Sequence, residues 1–149
     1  MSSTIPEGYH SIQPYLMFTD CAKAIDFYTQ VFGGKEKLRM PDDTGRIMHA
    51  EIQIGDSVIM MAEENPSIEA FAVAHYGGSP VSIMLYVENC DATYQAAVAA
   101  GSKSLREPTD QNYGDRMAGI VDPFGYKWWI AHPIAKPDAS KQDAKEAKR

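Results

Sequence analysis

The chain has little of several features that mark particular classes of protein. Its 149 residues include only two cysteines, too few for a disulfide framework. Lys and Arg number 14 against 20 Asp and Glu, for a net charge of −6, whereas binding to a phosphate backbone needs a basic surface. The sequence also has no apolar run near the roughly 20 residues that span a bilayer. These shortages argue against a nucleic-acid partner and against a membrane span.

What the chain does contain is typical of a globular domain. Its hydrophobic content of 44% and charged content of 23% are ordinary, and its length is that of one domain. Residues 1–8 have neither a basic region nor an apolar segment, so they do not predict a signal peptide, and we expect a cytosolic protein. Cys21 and Cys90 each follow a predicted strand. We interpret them as small residues at the start of a helix, with a bridge or a reactive thiol as the alternative.

The sequence is built twice from one pattern. Cys21 lies between an apolar segment and a helical one, and Cys90 repeats this arrangement 69 residues later. The same offset pairs Met60 with Trp129, each within the apolar run that closes its half. A repeat of this length that occurs only twice indicates two similar halves of one domain.

Each half predicts the order βαβββ. The segments of the first half are a strand at 12–18, a helix that Asp20 can cap and that Gly33 and Gly34 end, and strands at 35–40, 47–54 and 57–62. The strand at 47–54 alternates, so that His49 and Glu51 face away from its apolar side. The segments of the second half are a strand at 81–87, a helix at 91–100, a short strand near 103–106, a loop at 107–115, and strands at 116–121 and 126–131.

These segments divide the chain into two modules, at 8–62 and 80–133. The connector at 63–79 is long for a compact domain, so we interpret it either as a linker or as a lid beside a site. Residues 134–149 are rich in Lys, Asp, Ala and Glu. They predict a solvated extension or a frayed helix, because they cannot bury enough apolar surface to fold alone.

Two motifs carry a resemblance to a known family. The first is Ala-Ile-Asp-Phe-Tyr at 24–28 with Phe-Gly-Gly at 32–34, and the second is Tyr-Gly-Asp-Arg at 113–116 followed by Asp-Pro-Phe-Gly-Tyr-Lys-Trp-Trp at 122–129. With the two modules, they make residues 10–133 resemble the vicinal oxygen chelate superfamily, in particular its short bacterial glyoxalase-like and bleomycin-resistance-like members. The resemblance implies an α+β fold, in which the tandem βαβββ modules of a single domain over 1–149 form an open, cup-shaped β-barrel. This fold hosts both catalysts and binding proteins, so it does not decide the function.

In metal-dependent relatives, each module supplies one ligand from its first strand and one, usually Glu, from its last. The resemblance places these positions at Gln13 and Met60 in the first module and at Ser82 and Trp129 in the second. A thioether is a poor ligand for a hard cation, and an indole offers no lone pair. We therefore expect no metal ion at these positions, no other cofactor, and none of the family's metal-dependent chemistry.

Strand alternation predicts which side chains line the cavity of such a fold. Aromatic rings and thioethers on these faces suit a planar or partly aromatic ligand. The candidate ligand-binding residues are Gln13, Tyr15, His49, Glu51, Met60, Ser82, Met84, Tyr86, Arg116 and Trp129. We predict a metal-free, non-catalytic small-molecule binding protein of the bleomycin-resistance type, which sequesters or carries its ligand. The alternatives without a ligand are a filled barrel and a structural or interaction protein.

His49 and Glu51 carry the enzymatic alternative. With Gln13 as a third donor they could hold a relocated metal ion, for a glyoxalase-like lyase, isomerase or dioxygenase, and His49 could instead act as an acid–base group. The repeat offset places Ala118 and Ile120 at the matching positions of the second module. Because neither residue is a metal ligand, this match favours an ordinary polar strand face or a ligand-contacting pair.

Two residues of the second module have further predicted roles. Arg116 could bind an anionic ligand group through two guanidinium nitrogens, or it could pair with Asp115 or Glu107 to fix the preceding loop. Trp128 should point from its strand toward the helix and belong to the core.

Relatives of this size build each cavity from two modules, which belong either to one chain or to two. The connector is long enough for both arrangements, and open sheets have edges that need cover. We expect a symmetric homodimer with two equivalent cavities, each lined by both modules.

Overall fold

The chain divides into two compact units, Met1–Gly78 and Ser79–Arg149, of which a computed structural model describes residues 4–134. Each unit contains one open, four-stranded mixed sheet with a helix packed on one face. The tail predicted at 134–149 lies outside the described residues except for Ile134. Within the described part of the chain, no helix is long and apolar enough to cross a membrane.

The first unit has the predicted βαβββ order. Its elements are β1 (Tyr15–Phe18), α1 (Cys21–Phe32), β2 (Lys35–Pro41), β3 (Ile47–Ile54), β4 (Ser57–Glu63), a turn of 3-10 helix (Pro66–Ile68) and α2 (Val73–Tyr76). The strand order is β1-β4-β3-β2, with β1 parallel to β4 and the other pairs antiparallel. The connector is therefore not a bare linker, since it forms two short helices and belongs to the first unit as far as Gly78.

Helix α1 has the predicted signals at both ends. Asp20 Oδ1 accepts a hydrogen bond from Lys23 N at 3.1 Å and caps the first turn. The helix ends at Gly33, whose φ of 69° is the left-handed conformation that glycine adopts without strain. Ala24, Ile25 and Tyr28 recur at helical spacing and are buried against the sheet.

The second unit repeats the topology. Its elements are β5 (Ser82–Tyr86), α3 (Cys90–Ala99), β6 (Lys103–Asp110), β7 (Asp115–Val121) and β8 (Lys127–Pro133), and the strand order is β5-β8-β7-β6. Two four-stranded mixed sheets with their helices confirm the α+β prediction.

The predicted loop at 107–115 is wrong over its first part, because β6 continues to Asp110. Pro108 lies within this strand, which is possible because β6 is an edge strand, where proline is tolerated. The ladder between β6 and β7 shifts register between Arg106 and Thr109, and this irregularity accommodates the proline.

Both cysteines are the first residues of their helices, as predicted. Cys21 begins α1 and Cys90 begins α3, and both are buried, free thiols. Burial raises the pKa of Cys21 to about 12 and also raises the pKa of Cys90. Neither thiol has the low pKa of a reactive cysteine.

Trp128 belongs to the core, as predicted, with 1% of its surface exposed. Its indole Nε1 donates to Asp122 Oδ2 at 2.8 Å. The other carboxylate oxygen of Asp122 accepts from the backbone nitrogens of Phe124 and Tyr126, both at 2.9 Å. One buried carboxylate therefore fixes the turn between β7 and β8 and orients the largest core side chain of its unit.

Candidate functional site

The sheet of the first unit has one face covered by α1 and one face without a helix. Cross-strand partners share a face, and Met60 pairs with both Tyr15 and Glu51. We call the helix-free face the open face of unit 1. Its residues are Tyr15, Met17, His49, Glu51, Val58, Met60 and Ala62. Of the candidate residues in the first module, Tyr15, His49, Glu51 and Met60 share this face, as strand alternation predicted, whereas Gln13 precedes β1.

A continuous chain of hydrogen bonds crosses this open face. The Tyr9 hydroxyl donates to Glu51 Oε1. Glu51 Oε2 lies 2.7 Å from His49 Nε2, and His49 Nδ1 lies 2.8 Å from the Tyr15 hydroxyl. The chain runs from a buried carboxylate, 5% exposed, to a hydroxyl on a tyrosine that is 49% exposed. We call Tyr15, His49 and Glu51 the polar relay.

The pKa of Glu51 fixes the direction of these hydrogen bonds. Burial raises that pKa, but the hydrogen bonds from Tyr9 and His49, together with their charge environment, outweigh burial and hold it below its ordinary value. Glu51 is thus a carboxylate, which only accepts hydrogen bonds. His49 Nε2 therefore donates to Glu51, which leaves Nδ1 to accept from the Tyr15 hydroxyl. Burial raises the pKa of Tyr15, so its hydroxyl keeps its proton.

A cleft of about 530 Å³ opens beside the relay. One wall is the open face at Tyr15, Met17 and Ala62, and the opposite wall comes from the connector at Pro66, Ile68 and Ala70. Ligand pockets for small molecules have volumes of roughly 300–1,000 Å³. We call this space the lateral cleft. The connector thus lies beside a cleft, as the lid interpretation expected.

Polar tethers hold the connector wall in place. Arg46 Nη2 donates to the Glu64 carbonyl at 2.6 Å. Glu64 Oε2 accepts from Ala72 N at 2.8 Å. Asn65 and Ala70 exchange two backbone hydrogen bonds, at 2.8 and 3.1 Å, across the 3-10 turn. Because one end of this segment is bonded to Arg46 and its two ends are bonded to each other, the connector wall has a defined shape.

The second unit has an equivalent helix-free face. Met84 pairs with Trp129, and Ser82 and Tyr86 lie on the same face of β5. The indole of Trp129 lies across Gly119, where an added Cβ would come within 2.3 Å of Cζ3. The guanidinium carbon of Arg106 lies 5.9 Å from the centre of the Trp129 ring. This face presents rings and a thioether, with Ser82 as its small polar group.

The predicted counterparts of His49 and Glu51 are wrong by one residue. The ladders show that the counterparts are Met117 and Gly119, because Glu51 pairs with Met60 and Gly119 pairs with Trp129. The sequence offset of 69 gave Ala118 and Ile120, which face α3 and are buried. Five residues separate the paired Val121 and Lys127, whereas four separate the equivalent pair Gln53 and Val58, so the offset is 68 on the third strand and 69 on the last.

Arg116 lies on the opposite face of its sheet from Trp129 and the other candidate residues of the second unit. Its partner across the ladder is His132, on the face that carries α3. The guanidinium binds both carboxylate oxygens of Asp91 at 2.6 and 3.0 Å, and it also contacts Asp110 at 2.9 Å. The hydrogen bonds from Arg116 lower the pKa of Asp91. The structural role is thus the one observed, with Asp91 and Asp110 as partners in place of Asp115 or Glu107.

The donor set does not fit the metal ion that the family implies. Gln13 Oε1 accepts from His10 N at 2.6 Å, and Met60 offers only a thioether. Among residues 4–134, no group of three His, Cys, Asp or Glu side chains is placed to hold a metal ion. Both ring nitrogens of His49 already have hydrogen-bond partners. A relocated metal around His49 and Glu51 would have to displace the polar relay.

Sequence reasoning missed Tyr9 and most of the connector wall. Tyr9 covers Glu51 from a segment before the first strand, with Lys37 Nζ 4.1 Å from the centre of its ring. No periodicity marks such an isolated aromatic residue. The connector wall had a partial signal, since Asn65 and Pro66 are typical of a capped turn that can hold a shape of its own.

Comparisons with known proteins agree with this architecture. Residues 10–130 match the family described as the Glyoxalase/Bleomycin resistance protein/Dioxygenase superfamily. An uncharacterized protein of Mycobacterium bovis is 34% identical over 127 residues, which are 83% of this chain and 84% of the relative. An uncharacterized protein of Mycobacterium tuberculosis is also 34% identical, over 83% of this chain and 75% of its own length.

Solved structures share the fold. TioX from Micromonospora sp. ML1 superposes with a TM-score of 0.63 and 25% identity, over 87% of this chain and all (100%) of its own. The genomically encoded fosfomycin resistance protein FosX from Listeria monocytogenes gives a TM-score of 0.65 at 14% identity, over 89% of this chain and 97% of its own. At that identity the likeness concerns the fold alone.

Proposed function

This chain belongs to the Glyoxalase/Bleomycin resistance protein/Dioxygenase superfamily, as its motifs predicted, and from that premise we propose that it binds a small molecule without a metal ion. The ligand is planar or partly aromatic, and the protein sequesters or carries it in the manner of a bleomycin-resistance protein. A cytosolic location, expected from the sequence, belongs to this proposal.

The lateral cleft is the observation that supports the proposal most. It combines an aromatic ring and a thioether, Tyr15 and Met17, with the apolar wall at Pro66 and Ile68. Flat rings and polarisable sulfur suit a planar ligand. The hydroxyl of Tyr15 supplies a polar group that would fix the ligand's orientation.

A calorimetric titration tests the proposal. The protein, held in excess EDTA, is titrated with a panel of planar antibiotics and aromatic metabolites, and at least one compound should bind with a stoichiometry of about one per chain. Ile68→Glu places a carboxylate in the apolar wall, and it should weaken binding by about tenfold or more, equivalent to ~1.4 kcal/mol. Ile12→Glu is the matched control, because Ile12 is 85% exposed and Ile68 72% exposed, but Ile12 lies outside the cleft.

The candidate contacts on the second unit have a separate test. Trp128 is buried, so quenching of tryptophan fluorescence by an added compound would report on Trp129. Quenching that Met84→Ala weakens would support a ligand contact on this face. Binding without any change in fluorescence would confine the ligand to the lateral cleft.

The absence of a metal ion from the proposed site is also measurable. Elemental analysis of protein purified without chelator and then dialysed should find no stoichiometric Zn, Ni, Fe or Mn. A stoichiometric metal that disappears in His49→Ala would contradict the proposal, and it would favour the enzymatic alternative.

The homodimer also belongs to the proposal. Each sheet has free edges, and several large apolar side chains are exposed, among them Met48, Met84 and Tyr86. A second copy would cover such surface. Light scattering that gives the mass of a single chain, 16.5 kDa, at micromolar concentration would contradict it.

A further inference from the structure

We propose that Tyr15 is an acid–base group, activated by His49 and Glu51, and that it removes a proton from a hydroxyl group of the molecule bound in the lateral cleft. This inference rests on the proposed binding function, to which it adds a chemical step and a class of ligand, a hydroxyl-bearing small molecule.

The order of groups in the polar relay supports this role. An exposed hydroxyl, an imidazole and a buried carboxylate follow one another at hydrogen-bond distance, Tyr15 to His49 at 2.8 Å and His49 to Glu51 at 2.7 Å. In hydrolytic triads the same sequence of groups lets the imidazole take the hydroxyl proton while the carboxylate stabilises the resulting imidazolium. The reactive end of the relay, Tyr15, lies in the wall of the cleft.

The fold does not require these three polar groups. At the equivalent positions of the second unit stand Met84, Met117 and Gly119, and the same sheet forms around them. Burying the Glu51 carboxylate has a desolvation cost, which both of its oxygens offset through hydrogen bonds. A buried polar arrangement that the same sheet topology does without in the second unit is typical of a functional site.

The proton transfers balance in two linked steps. The Tyr15 oxygen takes the proton of the ligand hydroxyl as its own proton passes to His49 Nδ1. The electron pair of the broken O–H bond stays on the ligand oxygen, and the new imidazolium is paired with the Glu51 carboxylate. Tyr15 ends neutral, so no free phenolate forms in a position where burial disfavours one.

Reaction with phenylmethanesulfonyl fluoride tests the activation of Tyr15 directly. The tyrosine oxygen forms a bond to sulfur, the S–F bond breaks, fluoride leaves, and the phenol proton passes to His49. Tyr86 is the internal control, because it is 61% exposed against 49% for Tyr15, its pKa is also raised by burial, and its hydroxyl contacts Asp115 and no imidazole. Mass spectrometry then gives the labelling rate of each tyrosine in the same sample.

Near neutral pH, Tyr15 should be labelled about tenfold faster than Tyr86 or more. This threshold is modest, because general-base catalysis typically contributes ~10²–10⁴-fold. His49→Gln should reduce the Tyr15 rate to the Tyr86 rate, and Glu51→Gln should reduce it in part. A far-UV circular dichroism spectrum like that of the wild type should show that each variant is folded, and an unchanged Tyr86 rate should show that the reagent is equally active in each sample. Equal rates for the two tyrosines in the wild type, or a Tyr15 rate that His49→Gln leaves unchanged, would overturn the proposal.

The pH profile separates activation from a structural role. In the wild type the Tyr15 rate should already be high near neutral pH and change little as the pH rises, whereas in His49→Gln it should rise only as the phenol ionises, above the ordinary tyrosine range because burial raises the pKa of Tyr15. The ionisable groups around His49 are Tyr15 and Glu51, and Tyr9 and Lys37 act on it through Glu51. A wild-type profile that follows the phenol would contradict the inference. Ligand binding is measured separately by calorimetry, so an unreactive Tyr15 and a failure to bind are distinct results.

Discussion

The two units carry different chemistry on the same scaffold. Their sheets have the same strand order and the same parallel and antiparallel pairs. On the first unit the open face holds Tyr15, His49 and Glu51 in a hydrogen-bonded line, whereas the same positions of the second unit hold two methionines and a glycine. The comparison shows that the strand order and pairing do not depend on the polar side chains of the open face.

The last strands of the two units, β4 and β8, differ in the same way. Met60 and Trp129 occupy equivalent positions, where metal-dependent relatives place a carboxylate. Met60 lies beside the Glu51 carboxylate, while Trp129 fills the space that Gly119 leaves. One unit thus has a carboxylate beside this position, and the other has an aromatic surface there. Neither Met60 nor Trp129 can act as the carboxylate ligand of the family's metal site.

The largest expected change in the free energy of unfolding comes from the second unit, at the contact between Gly119 and Trp129. Gly119→Ala should destabilise the protein by about 3 kcal/mol, the upper part of the usual range for overpacking, because the added Cβ would lie 2.3 Å from a rigid ring. Urea unfolding measures the change. In a Trp129→Ala background the same substitution should cost little, since the clash is gone. An equal cost in both backgrounds would show that Gly119 is needed for another reason.

The next effect concerns Glu51 and depends on pH. Glu51→Gln should destabilise the protein by about 2 kcal/mol at neutral pH, as expected for hydrogen bonds to a charged acceptor. The folded pKa of Glu51 is lowered, so its contribution is present above the unfolded pKa and is lost as the pH falls through the folded pKa. The difference between wild type and variant should therefore shrink in acid.

The second unit supplies the control for this pH dependence. The pKa of Asp91 is also lowered, by its hydrogen bonds with Arg116, but the side chain is 42% exposed. Asp91→Asn should therefore give a smaller difference with the same sign of pH dependence. A Glu51→Gln difference that stays constant from neutral to acidic pH would contradict the account of the relay.

The smallest expected effect on stability comes from removing a tyrosine hydroxyl, Tyr9 in the first unit or Tyr86 in the second. Tyr9→Phe should destabilise the protein by about 1 kcal/mol, since it removes one hydrogen bond from a buried carboxylate. Tyr86→Phe removes a longer bond, 3.2 Å to Asp115, from a largely exposed side chain, and thermal unfolding should detect little change. Equal losses at both positions would mean that Tyr9 does not support Glu51.

Much of the fold and of the open faces could be predicted from the sequence, because both depend on short-range periodicity. Alternation along 47–54 placed His49 and Glu51 together on the face that the structure shows to be free of a helix, and Gly33 marked the end of α1. The offset of 69 failed on the second and third strands, where the ladders give 68, and one extra residue between the third and last strands restores 69 on β8. Such an insertion does not disturb the pattern of either strand, so periodicity cannot reveal it.

The contacts that complete the site could not be predicted, because they join residues far apart in sequence. Tyr9 meets Glu51 across 42 positions, and Arg116 meets Asp91 across 25. Nearby acidic residues such as Asp115 were the natural expectation for Arg116. The ladder instead turned its side chain toward α3.

Chemical-shift mapping of the labelled protein tests the central claim most directly. With excess EDTA present, a planar compound that binds in calorimetry is titrated into the protein, and backbone amide shifts are followed. The account predicts saturable shifts that concentrate at Tyr15, Met17, Ile68 and Ala70, the walls of the lateral cleft. Shifts that avoid these residues, or that require an added divalent metal, would contradict metal-free binding at this site.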